Sequence, residues 1–473
     1  DLSLLPEALK VTQAFLKLCP NNQDLVDLLS QLYDRTDDQA NALNYSLLQL
    51  AFDANNQKTE HGVAELLEEQ GQYKVALEHR RKVLELDKTP RAADWLACAQ
   101  CAFKSDDLLQ VVDACNKVIE TEAENPAANS LMGQSLFRLG DTEASVPYLN
   151  QAVLLSPAEA QNWLMLSEIY EQNGDTQKVQ ETLNAAILSN PESAEINYKL
   201  AQIYLGKENL EDALPFLQKA ASLLPESVQM SMQLGETLKS LGHLDEARQA
   251  LEKARQKFPS DPDLALLTAR TLVSMGDSKA ALPALEVVMQ AGKPGFDEYM
   301  MYLRALLGDH LFPLTPAGND QERAKLLSAQ NALEKALAIN PDDFNARVLK
   351  AEVLAAKGAK EEAFENYQGL IDHPDALAPS WQWRIYGGFG KVALDLNEIE
   401  TALAVLKEAT HAQPDNVYLQ RLLAEAYLVA DLKDEAYQVA QNALKLAPTN
   451  LKNLAWFADM ALHLGDEAEA INA

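Results

Sequence analysis

Residues 160–193 read AQNWLMLSEIYEQNGDTQKVQETLNAAILSNPES, and this stretch determines the predicted fold. Its first part, 160–172, places apolar residues three and four positions apart, which is typical of the buried face of an α-helix. The run NGD at 173–175 interrupts the pattern with turn-forming residues. A second helical pattern covers 176–188, and Pro191 prevents its continuation. The stretch is therefore predicted to form two helices joined by a tight turn.

The same pattern returns every 34 residues along much of the chain. Prolines mark the period at Pro157, Pro191, Pro225 and Pro259, and again at Pro414 and Pro448. Turn residues between the two helices keep the same spacing, at Gly140, Gly174, Glu208, Gly242 and Gly276, then at Asn397, Asp431 and Gly465. One hairpin of this length buries too little apolar surface to fold alone, so neighbouring hairpins are predicted to stack.

The repeats resemble those of the tetratricopeptide family. That pattern has an aromatic residue, then Leu-Gly, Tyr, Ala, Phe and Pro at fixed offsets. The corresponding places in 160–193 hold Trp163, Leu166, Ser167, Tyr170, Val179, Leu183, Ala186 and Pro191. In 194–227 they hold Asn197, Leu200, Ala201, Tyr204, Ala213, Leu217, Ala220 and Pro225. The resemblance implies an all-α fold, a right-handed superhelical solenoid of about 12 helix-turn-helix repeats. It also implies that the first helices line a concave groove that binds peptides.

The phase of the repeats divides the sequence into two parts. The first part, 1–261, holds a half repeat at 1–22 and repeats that start near 23, 57, 92, 126, 160, 194 and 228. The second part, 262–473, contains an insertion at 308–321 and a long link at 373–380, and it ends in a truncated repeat from 451. Because both ends are half repeats with apolar surfaces, we expect the chain to be part of a longer protein.

Acidic residues exceed basic ones in every third of the sequence, giving a formal net charge of −30. Such a surface repels phosphate backbones and argues against a nucleic-acid partner. A neutral or basic protein or peptide partner is expected, although the same charge also serves to keep a long, apolar-rich chain in solution. No uncharged apolar stretch is long enough to span a membrane. Four cysteines are too few for a disulfide framework and favour a cytoplasmic location, with a periplasmic one left open.

The sequence has no recognisable catalytic, cofactor-binding or metal-binding motif, so a non-enzymatic role is predicted. Cys98 and Cys101 form a C-x-x-C pair near Cys115, a spacing found in redox and zinc sites. All three occupy apolar columns of the repeat, which favours packing. The run YGGFGK at 386–391 lacks the spacing and the preceding strand of a phosphate-binding loop. Its Gly390 falls in a column of small residues that lets two helix backbones approach.

One column on the first helices is predicted to lie just inside the groove, and most of its residues are apolar: Leu96, Ser130, Leu164, Tyr198, Met232, Leu266 and Met300. A column one turn further along reads Gln100, Gln134, Glu168, Gln202, Glu236, Arg270 and Arg304. The polar column would bond to the backbone of an extended peptide, and the apolar column would hold its side chains. The alternative is that the apolar column packs against the second helices.

The strongest binding segment is predicted at 228–307, where the apolar column is most continuous and the polar column turns basic. Its binding residues are Met232, Leu266, Arg270, Met300 and Arg304. Groove residues are expected to contribute little to the stacking of the repeats. A second contact is predicted at the apolar tip of the insertion, at Leu311, Phe312 and Leu314, unless this loop folds onto its own array.

The predicted function is a non-catalytic protein-interaction scaffold that binds peptide segments or partner domains in its groove. The alternative is a regulatory or substrate-recruiting arm of a larger enzyme, or of a bacterial export or assembly machine, whose other domains lie outside this sequence.

Overall fold

A computed structural model of the chain describes residues 4–308, 318–371, 379–466 and 470. For residues 379 and 380 it describes the backbone alone. These residues form 26 helices and no strand. About 80% of the chain is helical, and the predicted all-α repeat fold is confirmed. The handedness of the superhelix stays a prediction.

The chain divides into two compact units, Asp1–Pro225 and Glu226–Ala473. Unit 1 contains α1 (Leu5–Leu18), α2 (Gln23–Arg35), α3 (Gln39–Phe52), α4 (Gln57–Glu69), α5 (Tyr73–Leu86), α6 (Ala92–Lys104), α7 (Leu108–Thr121), α8 (Pro126–Arg138), α9 (Thr142–Leu155), α10 (Ala160–Gln172), α11 (Thr176–Ser189), α12 (Ala194–Gly206) and α13 (Leu210–Leu223). From α2 onwards these helices pair into six repeats.

Unit 2 contains α14 (Val228–Ser240), α15 (Leu244–Lys257), α16 (Pro262–Ser274), α17 (Leu282–Gln290), α18 (Phe296–Leu307), α19 (Asp320–Ile339), α20 (Phe344–Lys357), α21 (Lys360–Ile371), α22 (Pro379–Asp395), α23 (Ile399–Ala412), α24 (Val417–Val429), α25 (Lys433–Leu446) and α26 (Leu451–Leu464). The helices up to α25 pair into six further repeats. The division of the sequence into 1–261 and 262–473 rests on where the repeat spacing breaks, and it stays a prediction.

The tight turns inside the repeats, where the structure describes them in full, each contain one residue with a left-handed backbone. Gly140 has a φ of 87°, and Glu208, at the same place two repeats later, has a φ of 57°. The backbone N–H that follows the turn residue closes the first helix, as where Asp175 N donates to Tyr170 O at 2.9 Å. Glycine adopts this conformation without strain, which explains why it recurs in this column.

Small residues allow the two helices of a repeat to approach closely. A Cβ atom on Gly133 of α8 would lie 2.6 Å from Cγ of Leu149 on α9. Gly390 of α22 meets Leu406 of α23 in the same way, so its predicted packing role is confirmed. The adjacent column of larger residues, Leu166, Leu200 and Leu234, is buried as predicted.

In four first helices the residue at the aromatic place of the repeat is tied to the preceding turn by a side-chain N–H. Each donor bonds to the carbonyl oxygen six residues earlier: Asn129 to Ala123 at 2.9 Å, Trp163 to Pro157 at 2.8 Å, Asn197 to Pro191 at 3.1 Å and Gln420 to Pro414 at 2.8 Å. The donors occupy the aromatic place of the repeat. At this place the four repeats have a side-chain N–H donor in common, and only one of them has an aromatic ring.

At both breaks in the period, a helix begins before the end of the predicted insertion or link. Helix α19 begins at Asp320, inside the predicted insertion at 308–321, and runs for 20 residues. Helix α22 begins at Pro379, inside the predicted link at 373–380. In both places helical pattern extends into residues that the spacing assigned to a loop.

Candidate protein-binding site

The side chains of the predicted apolar column that are described below are half-buried or buried. Leu164 on α10 is half-buried, and Tyr198 on α12 is only 9% exposed. In unit 2, Met232, Leu266 and Met300 are half-buried, and each packs against a buried cluster of its own repeat and the next. The expectation that these side chains contribute little to stacking is therefore wrong, because much of each one is already part of the core.

The polar column is exposed, one turn further along the same helices. Exposed side chains are Gln100, Glu168, Gln202, Glu236, Arg270 and Arg304, whereas Gln134 is half-buried. A protein segment lying across the first helices would therefore meet amide and charged groups first. The uncovered edges of the apolar side chains lie beside them.

An ion pair connects two first helices of unit 2. Arg270 Nη2 on α16 lies 2.9 Å from Glu298 Oε1 on α18. Oε2 of the same carboxylate accepts a hydrogen bond from Gly295 N at 2.9 Å, and so it also caps α18. The Arg270 side chain remains 48% exposed. Since a guanidinium has five N–H donors, it can bind a ligand oxygen while it keeps Glu298.

The apolar column is interrupted in unit 1 by a polar network between α8 and α10. Gln134 Nε2 donates to Ser130 Oγ at 2.9 Å and to Asn162 Oδ1 at 3.0 Å. Asn162 Nδ2 donates to Glu159 Oε2 at 2.9 Å. The sequence interpretation missed this network. Its signal was Asn162, a polar residue where the next repeat has Ile196.

Other predicted features give no further site. Leu311, Phe312 and Leu314 of the predicted contact loop lie outside the described residues. Within the described ranges, no three His, Cys, Asp or Glu side chains are grouped to hold a metal ion. No helix in those ranges combines the length and apolar content needed to cross a membrane.

Two sequence profiles of the tetratricopeptide repeat match the chain. One matches residues 136–203, 204–271 and 240–307, and the other matches 321–379 and 388–450. Together they cover more than half of the sequence. The chain belongs to the tetratricopeptide-repeat family. This family assignment makes it a protein-interaction scaffold in the broad sense. No curated protein matches the chain.

Several solved tetratricopeptide proteins are similar at low identity. YrrB, described as a TPR protein with an unusual peptide-binding site, is 21% identical over 41% of this chain and 98% of its own, with a TM-score of 0.35. MamA is 20% identical over 35% and 91%, with a TM-score of 0.31. The APC/C hetero-tetramer Cut9-Hcn1 is 13% identical over 95% and 98%, with a TM-score of 0.33.

The central cysteines pack inside the tetratricopeptide array, as predicted. Cys98, Cys101 and Cys115 are at most 2% exposed and belong to one apolar cluster of unit 1. Burial raises the pKa of Cys98 to about 11 and the pKa of Cys115 to about 12. Burial and the nearby Glu68 carboxylate raise the pKa of Cys101 to about 12. The three thiols are therefore neutral packing groups at neutral pH.

Proposed function

We propose that this tetratricopeptide chain is a non-catalytic scaffold that binds an extended protein segment across α14, α16 and α18 of unit 2. The observation that carries the proposal is the exposed polar column on these helices. Glu236, Arg270 and Arg304 are exposed, and each stands one turn beyond a half-buried apolar residue. Such a surface offers directional bonds to a peptide backbone and apolar edges to its side chains.

The first helices of unit 2 support one another as a platform. Helix α14 packs against α16, and the Arg270–Glu298 ion pair joins α16 to α18. The apolar edges belong to Met232, Leu266 and Met300, and methionine adapts its shape to different ligands. Because the apolar side chains are anchored in the core, the surface is pre-formed and little ordering cost is added on binding.

The two arginines are the selective element of the proposed site. Arg270 and Arg304 are both exposed in a chain whose net charge is −30. A guanidinium binds carboxylate or carbonyl oxygens through charge-assisted hydrogen bonds. Binding should therefore combine apolar burial with a salt-dependent contribution from these two residues.

The test compares two variants that each remove two positive charges from unit 2. Peptides selected from a random library against the intact chain serve as ligands. Replacing Arg270→Gln together with Arg304→Gln should weaken their binding about tenfold and remove most of its salt dependence. The control, Lys253→Gln with Lys257→Gln, changes exposed residues of the second helix α15. Equal loss in both variants, or no loss in either, would show that the surface is elsewhere.

A further inference from the structure

Two adjoining cavities lie in unit 1, and their lining residues are different from those of the surface proposed above. The first has a volume of about 300 Å³ and is lined by residues of α4, α6 and α8, including Phe103 and Leu131. The second, about 440 Å³, lies beside the turn between α4 and α5 and includes Lys74 and Val75. Tyr73 and Lys104 line both cavities. The two cavities therefore adjoin at these two side chains, as two compartments of one depression.

The first compartment suits an apolar side chain. Phe103 and Leu131 are half-buried and present their edges to it, and the buried Cys101 lines it as a neutral thiol. Its one carboxylate, Glu68, is already neutralised by Arg80, whose Nε and Nη2 donate to its two oxygens at 2.8 and 3.0 Å. The other charged group in its lining is Lys104, whose ammonium lies over the Tyr73 ring.

The second compartment is basic. Lys74 and Lys104 are exposed, and neither has an ion-pair partner among the residues that the structure describes. Lys104 Nζ lies 5.0 Å from the ring centroid of Tyr73, which holds the ammonium group at the boundary between the compartments. No carboxylate lines this compartment. Some other lysines of unit 1 are paired, as Lys219 is with Glu192 at 2.7 Å.

We propose that this depression binds an acidic segment of a partner protein. An apolar side chain enters the first compartment, and a neighbouring Asp or Glu carboxylate binds Lys74 and Lys104 in the second. The inference rests on the proposed scaffold function for its ligand class, but it uses different residues in a different unit. It also differs from the neutral or basic partner expected from the net charge, because two lysines and no carboxylate line the second compartment.

Two capped peptides test the site at physiological salt, one with Phe flanked by glutamates and one with Phe flanked by glutamines. The intact chain should bind the Glu peptide about tenfold more tightly than the Gln peptide in a calorimetric titration. Lys74→Ala with Lys104→Ala should abolish this preference. The control, Lys199→Ala with Lys219→Ala, removes the same charge from two lysines of unit 1 that pair with carboxylates, and it should keep the preference.

A second variant tests the apolar compartment. Gln100 is exposed and lines the first cavity. Gln100→Trp should therefore fill the cavity and lower the affinity for both peptides, without lowering the melting temperature of the chain. The proposal is overturned if the Glu peptide does not bind, if both peptides bind equally, or if both lysine pairs have the same effect. Arg270→Gln with Arg304→Gln should leave the affinity for the Glu peptide unchanged. A loss of that affinity would also contradict the assignment of the site to unit 1.

Discussion

Single residues in the small column decide how closely two helices pack. Gly133 stands against Leu149, which is fully buried and cannot move aside freely. Gly62, inside α4, has no atom other than those of its own helix backbone and its chain neighbours within 4 Å of the place where a Cβ would lie. The same residue type therefore has opposite meanings in one unit: a steric requirement at Gly133 and a conformational cost at Gly62.

We predict opposite effects for alanine at these two glycines. Gly133→Ala should lower the free energy of unfolding by about 1–3 kcal/mol through overpacking. Gly62→Ala should raise it by about 0.5–1 kcal/mol, because alanine loses less backbone entropy in a helix. Denaturant unfolding followed by circular dichroism measures both. A Gly133→Ala protein as stable as the parent would mean that α8 and α9 separate more easily than the contact distance implies.

The cysteines should differ sharply in reactivity. Cys19 is exposed, whereas Cys98, Cys101 and Cys115 are buried. Iodoacetamide at about pH 8 should alkylate Cys19 alone in the folded chain and all four thiols in denaturant, because the thiolate is the nucleophile. Peptide mass spectrometry locates the label. Rapid labelling of Cys115 without denaturant would contradict its packing role.

The raised pKa values of the buried thiols predict that the folded chain becomes less stable at alkaline pH. The pKa values of about 11 for Cys98 and about 12 for Cys115 lie above the ordinary value of 9.0. Between these values the unfolded chain loses protons that the folded chain keeps, so stability falls as pH rises. The contribution is fully present below about pH 9. A Cys98→Ala, Cys115→Ala variant should show a shallower decline in melting temperature over this range.

At the scale of helices, a buried ion pair links α20 to α22. Glu352 is fully buried, and its Oε2 accepts a hydrogen bond from Arg384 Nη2 at 2.6 Å. The guanidinium also lies over the ring of Trp381, 5.1 Å from its centroid. The pair holds one first helix against the next at the point where the repeat spacing lengthens.

Removing only one partner of this ion pair should destabilise the fold strongly. Arg384→Met removes the group that neutralises a buried carboxylate, and it should lower the free energy of unfolding by about 3–5 kcal/mol. Glu352→Met combined with Arg384→Met should cost clearly less, because no buried charge is left. Chemical denaturation of the two single variants and the double variant gives the coupling. Additive losses would show that the charges do not interact.

At the scale of the whole molecule, charge opposes compactness. The net charge is −30, and the acidic excess extends along the entire sequence. Self-repulsion of this kind destabilises a compact state and is screened by salt. Exposed ion pairs lose strength at the same time, but each is worth only about 0–1 kcal/mol.

We therefore predict that salt stabilises the chain at neutral pH. Melting temperature should rise in about 1 M NaCl, where the screening length falls to about 3 Å. The control is the same comparison near the isoelectric point of about 4.6, where net repulsion vanishes and the gain should be much smaller. An equal gain at both pH values would assign the effect to general salting-out.

The sequence by itself determined the repeat, its two-helix form, the turn residues and the buried cysteines. These features follow from forces within one repeat: helical periodicity, the left-handed turn at Gly140 or Glu208, and the steric need for Gly133. Only the tertiary structure decided how far Met232 is buried, that Arg270 pairs with Glu298, and that Tyr73 and Lys104 border two cavities. Those relations depend on how neighbouring repeats rotate against each other and how far side chains reach between them, and residue spacing does not specify either.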